Sequence, residues 1–132
     1  VDDRPQEFPR CHPDLNGKPY RFGYALAVDA NYGFPAIYKH DLQRGVAAKF
    51  PFSPGQHGGE PVFIPRASAQ SEDDGYLMSY VYDKNRDASD LVIFDAQDLG
   101  RGPLTSIHLP VRVPYGFHGN WIPDDSKSGA TT

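Results

Sequence analysis

A weak internal repeat with a period of 56 residues limits the architectures open to this chain. Tyr24 and Tyr80 lie 56 residues apart, as do Ile37 and Ile93, at corresponding points of apolar stretches that end in Asp-rich turns. A repeat of about fifty residues holding about four strands is typical of propeller blades rather than of a sandwich. The 132 residues supply about two blades, whereas a closed ring has about four to eight. We therefore expect the chain to be part of a larger propeller.

Alternating side chains predict the strands of these units. Large residues occupy every second position from Tyr20 to Val28 and again from Tyr76 to Tyr82, which is the period of a β-strand. Thirteen Gly, thirteen Pro, eight Tyr and eight Phe favour short strands separated by turns, so we predict an all-β fold. Further apolar runs bounded by Gly, Pro or Asp predict strands at residues 36–38, 46–50, 61–65, 91–94 and 104–109.

We divide the chain into propeller blades over residues 1–123 and a polar tail over residues 124–132. The tail has the small, polar composition of a disordered segment. The chain begins at Val1 without a Met, and the motif Glu7-Phe8-Pro9-Arg10 follows within a few residues. We therefore expect it to be the C-terminal fragment of a longer protein.

Charge and cysteine content narrow the classes of partner. Lys and Arg number 13 against 17 Asp and Glu, with no block of like charge. This pattern predicts no nucleic-acid partner and no basic membrane patch, and we expect a small or apolar ligand. The single Cys11 cannot form an internal disulfide, which favours a cytoplasmic protein. We assign Cys11 no role.

Three polar residues recur at matching points of the repeat. Glu7, Glu60 and His118 each follow a Pro- or Gly-rich linker, at intervals of 53 and 58 residues. If each opens the innermost strand of a blade, the two carboxylates and the imidazole meet near the propeller axis, which is a metal-site geometry. The alternative is that Glu7 and Glu60 are solvated loop carboxylates and that His118 is structural.

The neighbours of these residues add further expectations. His118 lies between glycines and aromatic residues in Arg112-Val113-Pro114-Tyr115-Gly116-Phe117-His118-Gly119-Asn120-Trp121, where the backbone can approach a ligand and aromatic walls exclude water. Glu60 enters an apolar strand after Gly58-Gly59, a pair that allows positive φ. A carboxylate there needs hydrogen bonds, for instance from a metal-bound imidazole.

Other candidate ligands are set aside. We interpret His57 as a loop residue, and Glu72-Asp73-Asp74-Gly75 as a strand-entry turn, since the later ligands of a calcium loop are missing. The remaining histidines have no partners at metal spacing, and we expect surface or edge positions for His12, His40 and His108.

Four stretches in order along the chain resemble the carotenoid cleavage oxygenases, including the lignostilbene-cleaving dioxygenases and the retinal pigment epithelium isomerase. They span nearly the whole chain and are residues 7–10 (EFPR), 59–66 (GEPVFIPR), 72–83 (EDDGYLMSYVYD) and 112–119 (RVPYGFHG).

The resemblance implies a seven-bladed propeller with an axial Fe(II) held by four His, three of which are held in turn by Glu. His118 matches the last of the four His, and Glu60 and Glu7 match two of the three Glu. The other ligands would precede Val1. The resemblance therefore implies that this chain alone is inactive and needs the N-terminal blades of the same enzyme.

The implied reaction is addition of O2 across a carbon–carbon double bond of a carotenoid, apocarotenoid or stilbene, and scission to two carbonyl products. His118 would be a metal ligand and not an acid or base, so no residue here is assigned as catalytic. Phe117 and Trp121 are candidates for the wall of an apolar substrate site. Any peripheral membrane contact would come through regions outside this chain. The alternative is a non-catalytic β-propeller or β-sandwich binding module, in which Glu7, Glu60 and His118 are structural.

Overall fold

Antiparallel β-strands make up most of the computed structural model, which describes residues 2–124. Two short 3-10 helices, at Pro13–Leu15 and Leu99–Arg101, lie in connections between strands. Residues 125–132 of the predicted tail lie outside the described residues. Within residues 2–124, no helix has the length and apolar character that crossing a bilayer requires.

The first sheet contains four strands that pair in chain order. Each strand is antiparallel to the next. Its members are β1 (Gln6–Arg10), β2 (Phe22–Ala27), β3 (Ala36–Asp41) and β4 (Val46–Pro51).

The second sheet repeats this plan, with its first strand broken into two pieces that both pair with the same neighbour. Its members are β5 (Gln56–Gly58), β6 (Val62–Pro65), β7 (Gly75–Asp83), β8 (Ala88–Asp95) and β9 (Pro103–His108). The predicted apolar runs are all strands, although β5 was not predicted and β1 was expected only as an innermost strand opened by Glu7. Two successive four-strand units confirm the all-β fold and the two predicted propeller blades.

Apolar side chains hold the two sheets together face to face. Leu26 of the first sheet and Leu77 and Phe94 of the second are completely buried in one shared cluster. Across the interface the rings of Tyr24 and Phe63 stack, with centroids 5.5 Å apart and planes 9° from parallel. Burial of one such side chain contributes about 1.5–3 kcal/mol, so the interface between the sheets is the main core of the described chain.

A turn before β7 also joins the sheets. Residues 71–73 form the turn, and β7 starts at Gly75, which confirms the predicted strand-entry turn. The Glu72 carboxylate accepts hydrogen bonds from the backbone N–H of Arg21, at 2.8 Å, and of Phe22, at 2.7 Å. Glu72 therefore connects the two units.

Tyr24 and Tyr80 occupy equivalent positions of the repeat, but they differ in solvent exposure. Tyr24 is 1% exposed and Tyr80 is 50% exposed. Alternation in β7 buries Leu77 and Val81 against the first sheet and turns Tyr80 to the opposite face. Successive blades repeat by rotation about one axis, so the face of β7 that carries Tyr80 corresponds to the face of β2 that carries Tyr24. Tyr24 is buried because a following sheet covers it, whereas no following sheet exists among residues 2–124.

The Gly58-Gly59 pair serves a different purpose from the one predicted. Neither residue has a positive φ, so the backbone freedom that the pair allows is not used. A Cβ on Gly58 would lie 2.5 Å from a ring carbon of Phe52 and 3.1 Å from a methyl carbon of Leu26. A Cβ on Gly59 would lie 3.2 Å from the carbonyl oxygen of Tyr80. The pair is needed for close packing rather than for backbone conformation.

Candidate functional site

Glu60 lies in the break between β5 and β6. Gly58 pairs with Val81, and Val62 pairs with Met78. The broken strand formed by β5 and β6 therefore holds one more residue than β7 over this stretch. Such a bulge re-aims side chains and is common beside functional sites. The Glu60 side chain is only 5% exposed, so the bulge places a carboxylate inside the protein.

Three donors satisfy this carboxylate. Its Oε1 lies 3.0 Å from Nδ1 of His118. Its Oε2 accepts a hydrogen bond from the backbone N–H of Gly119, at 2.7 Å, and another from the guanidinium of Arg10, at 2.8 Å. The same guanidinium also donates to the carbonyl oxygen of Gly119. The site therefore unites β1, the break in the second sheet and the segment after β9.

These contacts keep Glu60 ionised. Burial raises the pKa of the Glu60 carboxyl, but hydrogen bonds from Arg10, His118 and Gly119 outweigh burial and leave the pKa below its usual value. An ionised carboxylate only accepts hydrogen bonds. Nδ1 of His118 must therefore carry the hydrogen of the shared bond.

The fixed tautomer suits His118 to metal binding. With hydrogen on Nδ1, a neutral imidazole presents the Nε2 lone pair, and metal-bound histidines are commonly held in this way by a carboxylate. The His118 side chain is 75% exposed, and its Nε2 makes no hydrogen bond within residues 2–124. The donor chemistry fits one imidazole ligand of a metal ion.

One imidazole does not complete a metal site. No group of three or more His, Cys, Asp or Glu able to hold a metal occurs among the described residues. Further ligands for a metal on His118 would have to come from elsewhere.

Glu7 does not join the pair formed by Glu60 and His118. Its side chain is exposed and makes no hydrogen bond or ion pair with any residue from 2 to 124. The next residue does reach the site, because the Phe8 ring meets the His118 ring edge-on with centroids 5.9 Å apart. The structure thus joins two of the three predicted side chains, and the metal roles of all three stay predictions.

An apolar cavity of about 420 Å³ lies beside His118. Residues of β7 form one side, and the segment 113–121 covers it. Phe117 and Trp121 both line the cavity, although they are 81% and 48% exposed. Their position is compatible with a substrate wall, which stays a prediction.

The other histidines are used locally, and none of their hydrogen bonds involves Glu60 or His118. His57 lies in β5 and not in a loop, which corrects that interpretation; its Nδ1 accepts from the backbone N–H of Phe34 at 3.4 Å. His40 forms a hydrogen bond with Gln6, and His108 forms one with Asp90. Nδ1 of His12 accepts a hydrogen bond from the backbone N–H of Asp14. His108 lies in the edge strand β9 as expected, whereas His40 is half-buried in the interior strand β3.

Arg10 was not identified from the sequence as a residue of the site. It belongs to the EFPR stretch that carries the family resemblance, but its contact with Glu60 crosses fifty residues and two sheets. The available signal was that a buried Glu60 needs a cation or several donors.

Comparisons with known proteins show which family the chain is similar to. A sequence model of the family described as retinal pigment epithelial membrane protein matches residues 1–123. A carotenoid cleavage oxygenase of Mycobacterium tuberculosis is 42% identical over 129 residues, covering 92% of this chain and 25% of the relative. An apocarotenoid-15,15'-oxygenase of Synechocystis is 39% identical over 118 residues, covering 87% of this chain and 24% of the relative.

Solved structures show the same fold. A Synechocystis apocarotenoid oxygenase mutant superposes with a TM-score of 0.86 at 37% identity, over 92% of this chain and 26% of that chain. A cobalt-substituted form of the Synechocystis enzyme superposes with a TM-score of 0.87 at 37% identity, with the same coverage. The chain spans about a quarter of the length of the relatives it matches. By sequence and by fold, the chain belongs to the carotenoid cleavage oxygenase family, the family of the retinal pigment epithelial membrane protein.

Proposed function

We propose that this chain is the C-terminal part of a non-heme Fe(II) dioxygenase that cleaves a carbon–carbon double bond of a carotenoid, apocarotenoid or stilbene with O2 to give two carbonyl products. The observation that carries the proposal is the buried Glu60 carboxylate on Nδ1 of His118. It occurs in a chain whose relatives are named as carotenoid and apocarotenoid oxygenases.

His118 supplies one metal ligand in this proposal. Glu60 holds the imidazole so that Nε2 faces the metal, and fixes its tautomer. Glu7, whose carboxylate is exposed, would hold a histidine from outside residues 2–124 in the same way. Fe(II) on imidazoles, with coordination positions left open, supplies the O2-binding chemistry of this class of enzyme.

The surrounding residues hold the alkene and exclude water. The cavity beside His118 is lined by Phe8, Phe117 and Trp121. Aromatic side chains give an apolar polyene a favourable surface without competing for the metal. His118 transfers no proton in this scheme, because its Nε2 would be bound to the metal and its Nδ1 hydrogen is held by Glu60.

The chain needs additional sheets for this activity. Tyr80 lines the cavity beside His118 and is 50% exposed, which supports a further blade of the same protein that closes the open side of this cavity. The remaining iron ligands would come with those blades, so the isolated chain should be inactive. The cytoplasmic location and a stilbene substrate stay predictions, while the names of the relatives support a carotenoid or apocarotenoid.

The test uses the complete protein that carries this chain. Iron content is measured by mass spectrometry, and the protein is incubated under ¹⁸O2 with a carotenoid, an apocarotenoid or a stilbene. We expect bound iron and two labelled carbonyl products from at least one substrate, and loss of both iron and products in His118→Ala. A folded iron-loaded protein that cleaves none of the three would refute the proposal, as would a His118→Ala variant with unchanged iron and turnover.

A further inference from the structure

We propose that Arg10 is a positioning residue that fixes the orientation of the Glu60 carboxylate, so that one oxygen points at Nδ1 of His118. The inference concerns a residue that neither binds the metal nor contacts the imidazole. It rests on the proposed function for its importance to metal binding, but its effect on the imidazole can be measured without a metal.

A bulge in β1 brings Arg10 to the site. Glu7 pairs with Leu26 and Arg10 with Tyr24, so β1 contains one extra residue between these pairs. Phe8 marks the bulge with a φ of 56°. In a regular strand, residues three positions apart point to opposite faces. The extra residue puts Arg10 on the face shared by Tyr24 and Leu26, which is the face packed against the second sheet.

The two oxygens of Glu60 have separate tasks. Oε2 accepts hydrogen bonds from the Arg10 guanidinium, at 2.8 Å, and from the Gly119 N–H, at 2.7 Å. Oε1 is left for His118 Nδ1, at 3.0 Å. Arg10 also donates a hydrogen bond to the carbonyl oxygen of Gly119. It therefore links Gly119, the residue next to His118, to the same carboxylate oxygen. Arg10 therefore fixes both the rotation of the carboxylate and the position of the loop that carries the imidazole.

The burial of Arg10 is not explained by stability alone. Its side chain is 28% exposed, and its Nε is buried without a hydrogen-bond partner in the described chain. Buried ion pairs are often replaceable by apolar side chains with no loss of stability. The contacts of Arg10 with Glu60 and Gly119 agree better with a role in orienting the site.

The chain offers a matched control. Arg21 forms a two-point contact with the Asp41 carboxylate, at 2.9 and 2.6 Å, with side-chain exposures of 31% and 12%. This pair resembles Arg10 and Glu60 in chemistry and burial, and it has no contact with His118.

The experiment compares Arg10→Met, Arg10→Lys and Arg21→Met in the complete protein. The tautomer of His118 is read from ring ¹⁵N chemical shifts of the metal-free protein, with the signal assigned by its loss in His118→Ala. Fe(II) affinity is measured by chelator competition. Wild type should show hydrogen on Nδ1, and Arg10→Met should show a mixture of tautomers and about tenfold weaker Fe(II) binding. Arg10→Lys should restore the Nδ1 form, and Arg21→Met should match wild type in both measurements.

A wild-type tautomer and Fe(II) affinity in Arg10→Met would overturn the proposal, and so would an equal change in Arg21→Met. If Arg10→Met does not fold, Arg10→Gln gives the same comparison, because its amide keeps polar packing without the charge. A wild-type protein that binds no Fe(II) would refute the proposed function instead, while the tautomer comparison would still decide the role of Arg10.

Discussion

Replacing Glu60 by Gln preserves the shape of the side chain and removes the charge on which the His118 contact depends. Two of the three donors meet Oε2, from Arg10 and Gly119. The amide oxygen should therefore stay at that position, and the amide NH2 should turn toward Nδ1 of His118. Nδ1 must then accept a hydrogen bond, so the imidazole hydrogen moves to Nε2, the atom proposed to bind iron.

The size of the effect follows from the bond that is lost. A hydrogen bond to a charged group contributes about 1.5–3 kcal/mol. Loss of a carboxylate that holds a ligand histidine weakens metal affinity about 10–100-fold, which corresponds to about 1.4–2.7 kcal/mol. We therefore expect Glu60→Gln to bind Fe(II) about 10–100-fold more weakly without unfolding the protein.

Glu72→Gln is the matched control. Its carboxylate also accepts backbone hydrogen bonds between the sheets, at 2.7 and 2.8 Å, but does not contact His118. Both variants should lose some stability, and only Glu60→Gln should lose metal affinity. The assay is chelator competition, with circular dichroism to confirm folding.

Two results would contradict this reasoning. Unchanged iron content and turnover in Glu60→Gln would mean that the carboxylate does not set the tautomer. An equal loss of iron in Glu72→Gln would mean that the effect comes from general weakening of the interface between the sheets.

Two further predictions concern the fold. Leu77→Ala should lower the free energy of unfolding by about 2–5 kcal/mol, because Leu77 is fully buried between the sheets, whereas Leu104→Ala at an exposed position should change it by less than about 0.5 kcal/mol; equal values in denaturant titration would contradict the assigned core. A hydrogen bond from Arg21 lowers the pKa of Asp41 from 3.8 to about 2, so this carboxylate stabilises the folded state above pH 3.8, and the contribution is lost as the pH falls toward 2. Asp41→Asn should therefore flatten the acid side of the stability profile, and an unaltered slope would show that Asp41 does not contribute.

Much of the fold could be predicted from local sequence. The alternation at Tyr20–Val28 and Tyr76–Tyr82 predicted β2 and β7, and the 56-residue repeat predicted two similar units. These predictions succeeded because a strand side chain points to one of two faces, and the pattern of large residues records which face is covered. The break at Glu60 divided the first strand of the second sheet, so β5 was missed.

The site was only partly predictable. His118, Glu60 and Glu7 were each assigned through their place in a family pattern, but only the structure shows that Glu60 is the carboxylate in contact with His118. Arg10 could not be assigned, because one extra residue at Phe8 reverses the face to which Arg10 points. A bulge of this kind leaves no clear mark in the local alternation.

The sequence alone determined most of the strands, the order of the units and the residue types able to hold a metal, because these depend on neighbours a few positions away. The tertiary structure alone decided that Arg10 and Gly119 share one oxygen of Glu60, that Glu7 stands apart, and that Gly58 is required for packing. Each of those outcomes depends on how two sheets and a later segment approach one another in space. Contacts over fifty or more residues arise from that packing and not from the period of any single strand.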